Sequence, residues 1–142
     1  MNKLSEELSV VMYDHDPADS TVKTDVAWVD MKDYDKILIK VMASALTGTG
    51  LIASGFLLIA NPNSDGSGTD VTIKTHAIGT AVDAVGDQVW LECTKDEIVA
   101  AGSNLRYVSA NLDMQNAADE AVVVYIRSAK TKQAGLTVDI IA

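Results

Sequence analysis

From Asp87 to Ala129 the chain reads DQVWLECTKDEIVAAGSNLRYVSANLDMQNAADEAVVVYIRSA, and this stretch restricts the fold more than any other. Val89, Leu91 and Cys93 alternate with Gln88, Trp90 and Glu92. That period of two belongs to a β-strand with one buried face. Thr94 is followed three residues later by Glu97, a pairing in which the hydroxyl accepts from the Glu97 amide and the carboxylate returns to the cap. A short helix over 95–101 is predicted, with Gly102 ending it through a positive φ that costs glycine no side-chain clash. After the Ser103-Asn104 turn, a strand is expected from Leu105 to Leu112. The segment from Asp113 to Glu120, small and polar, is expected to be an exposed loop. The β-branched run from Ala121 to Ser128 has the residue types that suit a pleated surface.

The earlier part of the chain repeats the pattern. Met1 to Leu8 is expected to be an arm, and Leu8 to Tyr13 a first short strand. Asp14 to Ser20 is acidic, contains Pro17 and should loop. From Val22 to Met31, the residues Val22, Thr24, Val26 and Trp28 alternate with Lys23, Asp25 and Ala27, predicting a second strand. Ile37, Ile39 and Val41 alternate with Lys36, Leu38 and Lys40, predicting a third from Asp33 to Val41. Leu51 to Ala60 has too few polar residues to leave either face wet, so this fourth strand should be central or covered by another subunit. Asn61 to Gly68 is the strongest turn signal in the chain. A fifth strand is expected from Val71 to Ile78, a loop from Gly79 to Gly86, and a last strand from Leu136 to Ile141.

Nine short strands with turns at roughly ten-residue spacing and scarcely any helix predict an all-β fold, an antiparallel β-sandwich or barrel. A jelly-roll-like sandwich is the preferred member, because neighbours in an assembly can protect its edge strands. Two segments are expected: residues 1–20 as arm and first strand, and 21–142 as one sandwich domain.

At 142 residues a single domain can bury about two-thirds of its unfolded surface without a staple. The formal charge of −9 opposes binding to nucleic acid or to an anionic membrane. Nine of the acids and only three lysines lie in the first 35 residues, so the charge is concentrated there. Met1 to Val10 carries acids and lacks the apolar core of a secretory signal. Val41 to Ala60 is twenty residues without a charge, long enough to span a bilayer. Thr47-Gly48-Thr49-Gly50 in its middle disfavours a helix and favours two strands joined by a turn.

Little in the chain points to catalysis. Cys93 is the only cysteine, and on a core face it acts as a small hydrophobe. Asn61, Asn63 and Asp65 before Gly66 imitate the start of a calcium loop, but Thr72 stands where its bidentate glutamate belongs. His15, between Asp14 and Asp16, and His76, placed on the solvent face of a strand, are too few for a zinc site or a nucleophile–base pair. The carboxylate pairs are adjacent in sequence and point apart on strands. The glycines match no phosphate-cradling pattern. We therefore expect no enzyme activity, metal or cofactor. Among the aromatics, Trp90 shares its strand face with Gln88 and Glu92 and should be exposed, a position suited to an interface anchor. Tyr13, Trp28, Leu51 and Phe56 complete the interface candidates.

One resemblance adds to this reading. Asp33-Tyr34-Asp35-Lys36-Ile37, the apolar strand ending at Asn61, the Gly-rich loop, Asp96-Glu97-Ile98, Leu105-Arg106-Tyr107-Val108 and Ala121 to Arg127 follow one another in an order that resembles small structural proteins of tailed bacteriophages. It covers about residues 33 to 129 and is similar in particular to capsid decoration (cement) proteins. The resemblance implies a virion protein on the capsid exterior, made in the host cytoplasm. Its partners would be the major capsid protein and its own copies, as homodimer or homotrimer. The alternatives are a head-tail connector or tail tube component, and a carbohydrate-binding or host-adhesion module.

Overall fold

The alternating runs pair as one long hairpin rolled upon itself. In this computed structural model, residues 8–15, 24–25, 27–47, 52–76, 84–114, 116 and 118–129 are described. The strands are β1 (Leu8–His15), β2 (Thr24–Asp25), β3 (Val29–Asp30), β4 (Tyr34–Ala45), β5 (Ile52–Asn61), β6 (Val71–His76), β7 (Gln88–Thr94), β8 (Tyr107–Met114) and β9 (Glu120–Ala129). The helix α1 (Lys95–Ala101) lies between β7 and β8. Within the roll β1 pairs with β9, β2 and β3 with β8, β4 with β7, and β5 with β6, all antiparallel. Two further pairings, β4 with β9 and β5 with β8, complete the sheets. The first sheet has the order β1-β9-β4-β7, and the second β2-β8-β5-β6, with β3 also on β8. This nesting is the jelly-roll form of the β-sandwich.

The core fills the space between the sheets. Ile37, Ile39, Val41, Val89, Val123 and Tyr125 from the first sheet meet Phe56, Leu58, Val108, Ala110 and Leu112 from the second. Each Val, Leu, Ile or Phe among them contributes about 1.5–3 kcal/mol by leaving water. Tyr125 is wholly buried and its oxygen accepts the Ala110 amide N–H at 3.1 Å, so its polar end is satisfied and also ties the two sheets together. At one end of the core Arg127 reaches the Asp30 carbonyl at 2.7 Å and the Ser9 hydroxyl at 2.9 Å, with its guanidinium 4.2 Å from the Tyr34 ring centre. Asp30 also pairs with Arg106 through both carboxylate oxygens, and that guanidinium holds the Asp30 carboxyl below the usual range.

The central strand expected from Leu51 to Ala60 is β5, flanked by β8 and β6. The helix spans the predicted residues and its capping box is formed: Thr94 Oγ1 accepts from the Glu97 N–H, and Glu97 accepts from the Thr94 N–H at 2.8 Å. Gly102, however, is extended at φ −178, not left-handed. Its lack of a side chain instead admits Leu105, whose Cδ1 would lie 3.0 Å from an added Cβ.

Two further expectations are corrected. The single strand from Val22 to Met31 is instead two short pieces, β2 and β3. The core takes Val29 and Met31 from the phase opposite to Trp28, because apolar residues occupy both phases of that run. The segment from Asp113 to Glu120 is not simply an exposed loop. β8 continues to Met114, and Asp119 is fully buried. Its carboxylate accepts from the Thr47 amide at 2.7 Å, the Thr47 hydroxyl at 3.0 Å and the Asn116 amide at 3.1 Å, fastening the end of β4 to the turn before β9. The expected arm residues 1–7 and the expected strand from Leu136 to Ile141 lie outside the described residues. So does 48–51 in the stretch weighed as a membrane span; among the described residues no helix is long and apolar enough to cross a membrane.

Candidate interaction surface

The first sheet has a second face, turned away from the core, and its register assembles an apolar field there. Val10, Ile126, Leu38 and Glu92 form one row across β1, β9, β4 and β7. Met12, Val124, Lys40 and Trp90 form the next. Val122, Met42 and Gln88 form a third. Cross-strand neighbours stand about 4.5–5.5 Å apart, so these side chains make one continuous surface. Val10 is 60% exposed, Met12 62% and Trp90 59%, while Leu38, Met42, Val122, Val124 and Ile126 are half-buried. Lys40 stands in the middle row between Val124 and Trp90, and its methylene stem extends the apolar area. A contiguous exposed apolar field of this kind marks an interaction site more often than it marks idle surface.

Of the residues singled out from sequence, only Trp90 falls on this face. Phe56 does not: it is wholly buried between the sheets, on the same phase of β5 as the core residues Leu58 and Ala60. Trp28 is half-buried and lies against Gly66, at φ +70, where any Cβ would overlap the indole. The strong turn signal thus serves to seat a tryptophan. Tyr13 stands opposite Val123 in the register, in the row of core residues and apart from Val10 and Met12. Leu51 lies outside the described residues. The remaining members of the field escaped sequence reading because they come from strands far apart in the chain. The available signal was Leu38 between Lys36 and Lys40, an apolar residue on the polar phase.

The groups weighed for chemistry are occupied structurally. Asn61 is buried, with its side-chain amide on Asp70 at 2.7 Å and its oxygen accepting from the Asn63 amide at 2.7 Å. Asp65 accepts from the Ser67 amide at 3.0 Å, which lowers its carboxyl pKa. The polar atoms of the calcium-like loop therefore brace the turn. His76, expected on the solvent face, is half-buried and stands opposite the core residue Phe56. Burial pushes the Cys93 thiol up to about 12, leaving it protonated and inert at neutral pH. Among the described residues no three His, Cys, Asp or Glu side chains gather as a metal site. The chain matches no protein family, and no curated protein sequence matches it.

Proposed function

We propose that this chain is a capsid decoration protein of a tailed bacteriophage, a cement protein that binds the outside of the assembled head through the outer face of its first sheet. The observation that carries the reading is the apolar field of Val10, Met12, Leu38, Val124, Ile126 and Trp90, of which Val10, Met12 and Trp90 are exposed and the rest half-buried. The part of that field still in contact with water adds nothing to the stability of the fold, but a partner that covers it removes apolar surface from water. The resemblance in element order supports the same assignment. A protein that binds the assembled lattice and not its free subunits stabilises the lattice by mass action, and needs no active site to do so.

The test adds the purified chain to heads that lack it and follows head melting by calorimetry. Saturable binding with a raised melting temperature is expected, and both should be lost in Leu38→Asn/Val124→Asn. Heads that neither bind the chain nor melt later would remove the reading. A second reading, glycan binding, is favoured by one observation, the exposed Trp90 flanked by Gln88 and Glu92 on its strand. It predicts glycan-array signal that disappears in Trp90→Ala.

A further inference from the structure

We infer that two copies of this chain join through the free edge of β1, antiparallel about a two-fold axis, so that their first sheets become one continuous eight-stranded sheet. The two sides of the sandwich differ. On the β6/β7 side, α1 covers the gap, burying Ile98 and pairing Glu97 with Lys74. On the other side the first sheet ends at β1, which among the described residues pairs with β9 and with no other strand.

From Leu8 to Tyr13, and among the described residues, that edge carries none of the devices that normally block pairing. β1 runs eight residues in unbroken register with β9. It contains no proline, glycine or lysine, and Leu8 to Tyr13 has no charged residue in a chain of net −9. Natural edge strands are usually short, bulged, charged or interrupted by proline, because an open row of N–H and C=O groups recruits further strands.

A second copy fits this edge by symmetry and by charge. A two-fold axis normal to the sheet keeps outward residues outward, so the numbers of opposed residues must sum to an even value. In the register that centres the seam on Val11, Val10 of each copy lies beside Met12 of the other, so that these two exposed apolar residues cover each other. Pairing along this uncharged segment brings two acidic chains together where neither places a like charge in the central rows. The interface is isologous, as closed dimers require. The apolar rows also continue across the seam, so a dimer presents the outer face twice. Val10 and Met12 belong to both the seam and the outer face, so the dimer is tested by its stoichiometry and backbone protection, which do not depend on what that face binds.

Sedimentation equilibrium of the full chain over a micromolar range tests the stoichiometry, and hydrogen exchange tests the geometry. We expect a dimer that Val10→Lys/Met12→Lys weakens by about tenfold or more, since four ammonium groups would crowd the seam. In the wild type, alternate β1 amides that do not face β9 should be protected, and should lose protection on dilution. This last measurement needs no variant and stands even if the double lysine chain folds poorly. A chain that is monomeric throughout would overturn the inference. So would a dimer whose alternate β1 amides exchange at the same rate at every concentration, because that dimer would be joined elsewhere.

Discussion

The two faces of the first sheet are built from the same strands and nearly the same residue types, yet one is buried and the other is partly open to water. Along β9, Val123 and Tyr125 point inward and are wholly buried, while Val122, Val124 and Ile126 point outward and remain partly wet. Along β4, Ile37, Ile39 and Val41 are buried and Leu38 and Met42 are not. What separates them is the second sheet, which covers one face only. An apolar residue stabilises the fold only where the fold brings it a cover. Those left without one are available for another molecule.

Truncation should break this symmetry most clearly on the inner face. Ile39→Ala removes a fully buried side chain and should cost about 2–5 kcal/mol in urea unfolding, whereas Leu38→Ala, one residue away, should cost far less. Equal losses at the two positions would mean that the outer face is covered within the monomer. Next in size is Asp119→Ala. The fully buried carboxylate holds the Thr47 amide and hydroxyl and the Asn116 amide. Its loss should destabilise by about 1–3 kcal/mol and speed amide exchange at Thr47.

Much of this architecture could be read from the residues alone. Period-two alternation marks β4 and β7 well, because lysine and glutamate occupy their outward phase and leave no doubt which side is wet. The capping box defines α1 because both of its hydrogen bonds are local. Reading failed where both phases are apolar. From Val22 to Met31 the phase was ambiguous, and the core took Val29 and Met31. In Ala121 to Ser128 the run VVVYI conceals an inner and an outer face, which only pairing with β1 and β4, more than seventy residues away in sequence, separates. The same holds for the site: Trp90 was visible by its polar neighbours, whereas Val10, Met12 and Ile126 become one surface only through register.

Smaller effects distinguish local order from the sheets. Thr94→Ala deletes the cap of α1 and should cost about 1 kcal/mol, loosening the covered side of the sandwich without altering the outer face. The Asp30 carboxyl, held below its ordinary value mainly by its hydrogen bond to Arg106, gives a pH dependence of known sign. Its contribution to stability is fully present above the unfolded value, about 3.9, and is lost as pH falls through the lower folded value. Asp30→Asn should therefore lower stability across the neutral region, where the contribution is fully present, and flatten the acid limb below about pH 4, where the two chains converge. A curve that keeps its acid slope would assign that slope to other carboxylates.

The smallest expected change in stability is also the one that bears most on function. Trp90 is 59% exposed and stands beside Lys40 in the middle row of the outer face. Surface positions of this kind usually shift stability by no more than about 0.5 kcal/mol. Trp90→Ala should thus unfold at nearly the wild-type urea concentration, with an unchanged m-value, because the same surface is exposed on unfolding. Its binding to heads should nevertheless fall sharply, since central aromatic anchors carry a disproportionate share of interface energy. If stability dropped by several kcal/mol instead, this outer residue would belong to the fold, and the contrast between the two faces would disappear. If stability and head binding both survived, the apolar field would be surface without a partner, and attachment would have to be sought on the second sheet.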